Sequence, residues 1–526
     1  MEIARATRRY ARPMPDPVVI GAAGLSIVDV VAVARSGAPV VLGDEAVAAL
    51  ERSYAITRDL IGREGAVYGL STGFGALADR SIDPTQRAAL QIGLIRSHAA
   101  TVGDEVEVEV VRAMTLLRAR SLALGHSGIR VSVAEGLVAL LNHGITPVVR
   151  EHGSLGCSGD LAPLAHVGLA LTGEGEVITG DGDRRGAAEA LAGAGLAPLV
   201  LEAKEGLALT NGTDGMLANL CLACHDVADL LAAAEVAAAL SVEGLLGTDQ
   251  AFLPELMALR PHPGQATSAA HLLALLQGSG IVASHRQGHS RVQDAYSLRC
   301  APQVLGAARD TLDHVRAVVE RELASAIDNP VVLSDGRVAS CGNFHGAPLA
   351  YVADFLAIAL ADVASIAERR VDRLLDPARS AGLPAFLAAD PGVDSGLMLA
   401  QYTAAALVAE CKRLAVPASV DSIPTSAMQE DHVSMGWAAT RKLRRAIADV
   451  ARVVAIELMA GARAVELRAP LRAGPATAAV IRSLREAGVP GMGPDHYVAP
   501  EIDATLALVT SGAVVEWAES VAGPLR

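Results

Sequence analysis

The stretch Gly153-Ser154-Leu155-Gly156-Cys157-Ser158-Gly159-Asp160 gathers a thiol, two hydroxyls and a carboxylate among small residues. Two familiar chemistries fail on it. A serine-hydrolase elbow needs glycine two residues either side of the nucleophile, and Ser158 has Gly156 before it but Asp160 after it. A phosphate-cradling loop needs a lysine that this stretch lacks. The bland alternative is an ordinary glycine-rich lead-in to a helix. A third reading uses the residue order. Attack of the Gly159 amide nitrogen on the Cys157 carbonyl closes a five-membered imidazolone ring, and glycine suits that role because no Cβ obstructs the approach. Dehydration of Ser158 then leaves an exocyclic methylidene, an electrophile that no standard side chain offers.

The surrounding elements must hold that loop. The run Leu161-Ala-Pro-Leu-Ala-His that follows has helical spacing, with Asp160 suited to the N-cap and Pro163 inside the first turn. A helix N-terminus there places positive potential beside the ring atoms. Upstream, 26–62 reads as two short helices around Gly37–Gly43, 65–82 as a Gly/Ser/Thr-rich loop, and 84–101 and 104–124 as helices. Residues 173–200 read as a surface excursion with a small strand pair. Long helices are predicted over 213–243, 266–282, 300–326, 346–376, 394–416 and 432–466, with a helical tail over 476–526.

Composition agrees with that layout. The chain has 526 residues, 51% hydrophobic but only 3% aromatic, and Ala, Leu and Val dominate its apolar content, which favours closely packed helices. The expected fold is mainly α: an elongated central bundle of long helices with a mixed N-terminal domain carrying the loop at 153–160. The expected division is 1–212, 213–467 and 468–526. A net charge of -14 and the lack of any Lys/Arg-rich block argue against nucleic acid as partner. No apolar run follows Arg5, Arg8, Arg9 and Arg12 directly, so a secretory signal is not expected. The most apolar stretch, 227–247, is interrupted by Asp229, Glu235 and Glu243, which argues against a membrane span. A cytoplasmic protein with six reduced cysteines is the expectation.

GSLGCSGDLAPLAH resembles the prosthetic-group segment of the aromatic amino acid ammonia-lyases. The likeness continues along the chain in order: Tyr68 in VYGLSTGFG, His98 in LIRSHAA, Asn211 in LTNGTDG, Gln293, Tyr296 and Arg299 in QDAYSLRC, Phe344 in GNFHG and Glu430 in SAMQEDHVSM. Within that family the Ser97-His98 pair and QEDHVSM are most similar to the histidine-specific members. Cys157 stands where the family usually has alanine, and Met428 where many relatives have asparagine. The Cys157 side chain stays outside the ring, so cyclisation should survive the change; Met428 could tune the pocket.

The resemblance implies elimination of ammonia from L-histidine to give trans-urocanate, with a methylidene-imidazolone formed autocatalytically from Cys157, Ser158 and Gly159 and no external cofactor or metal. The substrate amine (or, alternatively, its imidazole) adds to that electrophile. The resemblance makes Tyr68 the first candidate for the base that removes the β-proton, with Tyr296 and Glu430 as competitors; a tyrosine must have its pKa lowered from about 10 to serve. Arg299 is implied to grip the substrate carboxylate in a bidentate pair. Asn211 and Gln293 are implied to bond the carboxylate or hold the ring, and Phe344 to form a pocket wall. His98 and Glu430 are implied to read the imidazole, which has one donor and one acceptor nitrogen. The same electrophile also serves a tyrosine or phenylalanine ammonia-lyase or an aminomutase, which is the alternative. A homotetramer with active sites shared between subunits is implied as well.

Two further signals are declined. Cys221-Leu222-Ala223-Cys224-His225 matches the c-type haem attachment pattern, but Leu217, Leu220, Cys221, Cys224 and Val227 recur at helical spacing, which predicts a core stripe. His285 and His289 have the spacing of a metal pair without an evident third ligand.

Overall fold

The computed structural model describes residues 16–21, 24–61, 82–286 and 292–526. Helices dominate it, and the sheets have two or three strands each. The chain is mainly α, as its alanine-rich, aromatic-poor composition predicts. By internal contacts it divides into two compact units. The first comprises Met1–Leu222, Ala317–Tyr351 and Ala418–Thr440; the second comprises Ala223–Arg316, Val352–Pro417 and Arg441–Arg526.

The first unit begins with strand Val18–Ile20 pairing in parallel with Val40–Leu42 across the intervening helix Ile27–Ser36. That helix is bounded by local chemistry. Ser26 and Asp29 form a reciprocal capping box at its start, and Gly37, at φ 68°, closes it in the left-handed conformation. The strand at 40–42 falls within the Gly37–Gly43 interval expected to be a simple break. The helix Val108–Ala123 is buried on nearly all sides from Val110 onward, so its neighbours must satisfy the polar groups it carries inward. Arg118 is the clearest case: its guanidinium donates to the Asn211 and Ile327 carbonyls and to Asp214. One buried cation thereby ties the segments around 211, 214 and 327 together, and leaving such a charge unpaired costs about 3–5 kcal/mol.

The predicted small strand pair within 173–200 is present as Glu176–Ile178 with Arg184–Gly186, joined by Thr146–Pro147 into a three-stranded antiparallel sheet. Helix Leu161–Leu171 starts where expected, but Asp160 makes no side-chain cap. Its carboxylate turns inward for a tertiary task described below.

The second unit holds the helices Pro263–Leu276, Pro475–Glu486, Ala499–Thr510 and Ala513–Ala522. Two fully buried carboxylates organise it. Glu235 accepts hydrogen bonds from Arg309 and Ser268 and pairs with His271, and Glu457 pairs with Arg370 and accepts from Ser241. The helix predicted over 266–282 breaks at Gly278, φ 73°, before resuming at Gly280–Ala283. Cys221 and Cys224 lie fully buried on the long helix Asp214–Gly244, in the core stripe that their spacing predicts. Among the described residues, helix Ala347–Leu375 is long and apolar enough to cross a membrane, but 61% of its apolar window is buried inside the protein, as in a core helix.

Candidate active site

The segment 153–160 is held first by its backbone. Gly156 and Gly159 adopt φ 66° and 79°, a region costly to residues with a Cβ. The Asp160 amide donates to the Gly212 carbonyl at 2.7 Å, which seats Gly159 directly against Gly212. From the other side, the Met435 amide donates to the Leu155 carbonyl at 2.8 Å, while the Gly346 amide and the Ser434 hydroxyl both reach the Gly156 carbonyl. Three sequence-distant segments of the first unit therefore clamp one loop.

Asp160 is fully buried. It accepts from the Ser154 hydroxyl on one oxygen and from the Met216 amide on the other, both at 2.8 Å. Burial pushes its carboxyl up to about 7, against those hydrogen bonds. Asp160 pins the loop to the first turn of Asp214–Gly244, a role that nothing in the local sequence signals.

The loop presents Cys157 and Ser158 to a cavity of about 340 Å³ that is also lined by Asn329, Ser340, Phe344, His345 and the run Gln429–His432. Glu430 faces two of the three residues that would form the ring. One carboxylate oxygen accepts from the Ser158 hydroxyl at 3.1 Å; the other accepts from the Cys157 thiol at 3.3 Å and the Thr425 hydroxyl at 2.9 Å. Burial and the Glu430 charge push the Cys157 thiol up to about 12. Glu430 is delivered by a tight turn in which Ser426, Ala427 and Met428 all have positive φ. Met428, at 69°, sits where asparagine is more at ease than methionine.

His98 ends helix Arg87–His98, half-buried, with its Nδ1 3.1 Å from the Ser97 hydroxyl. Burial lowers its pKa, opposed by a backbone hydrogen bond at Leu94 and by the charge of Glu430. A neutral imidazole is thus kept within the field of the carboxylate. Asn211, 3% exposed, donates to the Asn329 carbonyl at 2.9 Å and leaves its side-chain oxygen without a hydrogen-bond partner among the described residues. Asn329 is held in turn: its amide N–H donates to Asp328, which pairs with the fully buried Lys204 at 2.6 Å.

The structure brings Cys157, Ser158, Gly159, Asn211, Phe344, Glu430 and His98 together in the first unit. Gln293, Tyr296 and Arg299 lie in the second unit and do not line this cavity. Tyr296 is 71% exposed, with the Arg299 guanidinium 4.5 Å from its ring centroid. Tyr68 and His289 lie outside the described residues. His285 bonds Ser284 and the Gly247 carbonyl. Asn329, Thr425, Ser434 and His432 escaped sequence reasoning, as did His345, although His345 and His432 stand inside the GNFHG and QEDHVSM motifs.

A family profile described as aromatic amino acid lyase matches residues 25–486. The chain is 59% identical to the histidine ammonia-lyase of Streptomyces coelicolor over 97% of its own length and 99% of the relative's. Among solved structures it resembles the histidine ammonia-lyase of Trypanosoma cruzi, with TM-score 0.88 and 38% identity over 96% of this chain and 95% of that one. It also resembles the tyrosine aminomutase of Streptomyces globisporus, with TM-score 0.91 and 37% identity over 96% and 99% of the two chains.

Proposed function

The chain belongs to the aromatic amino acid lyase family, and on that premise we propose that it eliminates ammonia from L-histidine to give trans-urocanate, using an electrophile built from Cys157, Ser158 and Gly159. The carrying observation is the placement of Glu430 on the Ser158 hydroxyl and the Cys157 thiol, at a cavity whose other imidazole-reading candidate, His98, lies within its field.

The loop fits a methylidene-imidazolone. Gly159 occupies a cradle that a Cβ would fill, since one built there would meet the Gly212 carbonyl oxygen at 2.1 Å. That seat admits only glycine at the position whose nitrogen would close the ring. When formed, the group supplies an electrophilic carbon to activate the amine as a leaving group. The chain's residues do the rest. Asp160 and Ser434 hold the loop rigid, which keeps the reacting atoms in register. Glu430 can move a proton at Ser158 and at the substrate, where Tyr68 and Tyr296 are its competitors for the β-proton. His98, kept neutral with its Nδ1 against the Ser97 hydroxyl, offers its Nε2 to one nitrogen of the substrate's ring.

Asn211, whose buried oxygen has no partner among the described residues, belongs to the carboxylate or ring-holding end of the site. Arg299, Gln293 and Tyr296 are available on the second unit to complete the cavity of a neighbouring copy. The exposure of Gln293 and Tyr296, with Arg299 half-buried beside them, supports a homotetramer with shared active sites; the working place is the cytoplasm and the substrate a free amino acid.

The test is urocanate absorbance with the purified chain against a panel of amino acids. Histidine should be turned over best. Faster turnover of tyrosine, or a β-amino acid product, would replace this reading by that of the aminomutase relatives.

A further inference from the structure

Two imidazoles in the wall of the catalytic cavity have no role in the chemistry described so far. His345 follows Phe344, and His432 lies two residues beyond Glu430. Their rings are parallel to within 4°, with centroids 5.7 Å apart. That is the offset stacked arrangement that aromatic rings prefer, and it fixes the plane of each ring. His345 also borders a second cavity, lined by His126, Glu322 and Asn343, but its stacking partner His432 lines the catalytic one. The His345 Nε2 atom is buried and has no hydrogen-bond partner among the described residues. Buried polar atoms are almost always paired, so a lone nitrogen beside a reactive cavity marks a position for a polar ligand group.

The position of Glu430 bears on which group that is. Both of its oxygens are committed to the end of the cavity where Cys157 and Ser158 stand. A carboxylate held at the reacting atoms is badly placed to serve also as the distant partner of the substrate's ring. The ring nevertheless has two nitrogens, and a selective site pairs both. His98 accounts for one of them.

We propose that His345, held parallel to His432, is a specificity-determining residue that hydrogen-bonds the second ring nitrogen of the substrate through Nε2. The proposal rests on the histidine reading above and goes beyond it. It gives the ring contact to His98 and His345 and leaves Glu430 for proton transfer beside Ser158. A neutral imidazole can be donor or acceptor at Nε2, so it complements whichever tautomer the substrate presents.

The test uses the full-length matured enzyme and two probes that need no turnover. One is 4-methylimidazole, a ring without amine or carboxylate, and the other is cinnamate, a carboxylate without ring nitrogens. His345→Phe keeps an aromatic ring against His432 and removes the nitrogen. It should weaken 4-methylimidazole about tenfold, leave cinnamate unchanged, and raise KM for histidine more than it lowers kcat. His345→Gln, which retains a donor and an acceptor, should recover most of the loss. If His345→Phe fails to fold, His345→Leu carries the same expectation. Equal weakening of both probes, or no weakening of 4-methylimidazole, overturns the proposal. These outcomes remain distinct from failure of the histidine reading, in which the unmodified enzyme would form no urocanate from histidine at all.

Discussion

Gly159 packs so closely on Gly212 that a methyl group on its α-carbon would stand 2.1 Å from the Gly212 carbonyl oxygen and 2.8 Å from the Gly212 nitrogen. The neighbouring atoms are backbone, which cannot rotate aside. Gly159 also sits at φ 79°, so alanine is penalised by conformation as well as by contact. Gly159→Ala should cost about 2 kcal/mol or more in denaturant unfolding. It should also stop ring closure, so intact mass should equal that of the unmodified translation and activity should vanish. A variant that still shed water from this segment would separate cyclisation from the glycine cradle.

The side chains beside Gly159 should behave differently from one another. Ser158→Ala removes the hydroxyl whose loss makes the electrophile, so it should abolish both the dehydration seen by intact mass and the activity. Cys157→Ala removes only a group outside the ring. It should keep the mass deficit and leave kcat within about threefold, since it deletes one weak hydrogen bond to Glu430. Because burial and Glu430 push the Cys157 thiol up to about 12, native protein at pH 8 should be alkylated at this position far more slowly than a free thiol. Peptide mapping after a timed iodoacetamide pulse reads the rate, and rapid labelling of Cys157 would contradict the environment described.

Parts of this arrangement were legible in the sequence because they repeat. The helices predicted over 213–243 and 346–376 are observed at Asp214–Gly244 and Ala347–Leu375, within a residue, since apolar spacing persists through each of them. The helix predicted from 432 begins at Gly436, because Ser434 and Met435 are occupied in clamping the loop at Leu155 and Gly156. Asp160 has the sequence signature of an N-cap, yet its partners are Ser154 and Met216, and only the fold brings Met216 close. Lys204 and Asp328 are separated by 124 positions and carry no motif. Ordered motifs identified the candidate residues but not their distribution over space, so Arg299 and Glu430 share a signature without sharing a unit.

That silent pair, Lys204 with Asp328, makes a prediction of its own. Both are essentially without solvent contact, and Lys204 sits at φ 71°. Asp328 in turn accepts from the Asn329 amide, and Asn329 borders the cavity and receives Asn211. Lys204→Met strands a buried carboxylate and should destabilise by about 3–5 kcal/mol. Lys204→Met with Asp328→Leu should recover much of that, because an apolar pair leaves no uncompensated charge. Denaturant midpoints for the single and double variants decide it. A double variant no more stable than the Lys204 single would show that the pair contributes more than charge compensation.

Asp160 should leave a mark on the pH dependence of stability. Its carboxyl has an ordinary value of 3.8 and is pushed up to about 7 in the folded chain, chiefly by burial. Between those values the folded state holds a proton that the unfolded state has released. Stability from this group is therefore complete below pH 4, falls as pH rises through 7, and is gone above it. Asp160→Asn mimics the protonated form at every pH: its oxygen can still accept from the Met216 amide, and its NH2 can donate to the Ser154 hydroxyl. The unfolding free energy of the parent relative to that of Asp160→Asn should decline from pH 5 to pH 8, by on the order of 2 kcal/mol. Asp214, also raised by burial, is present in both proteins and is itself one cause of the Asp160 shift, so the difference reads Asp160 together with its coupling to Asp214. A difference that stayed flat, or that grew with pH, would mean that the carboxylate is ionised in the folded protein and that Ser154 and Met216 fully offset its burial.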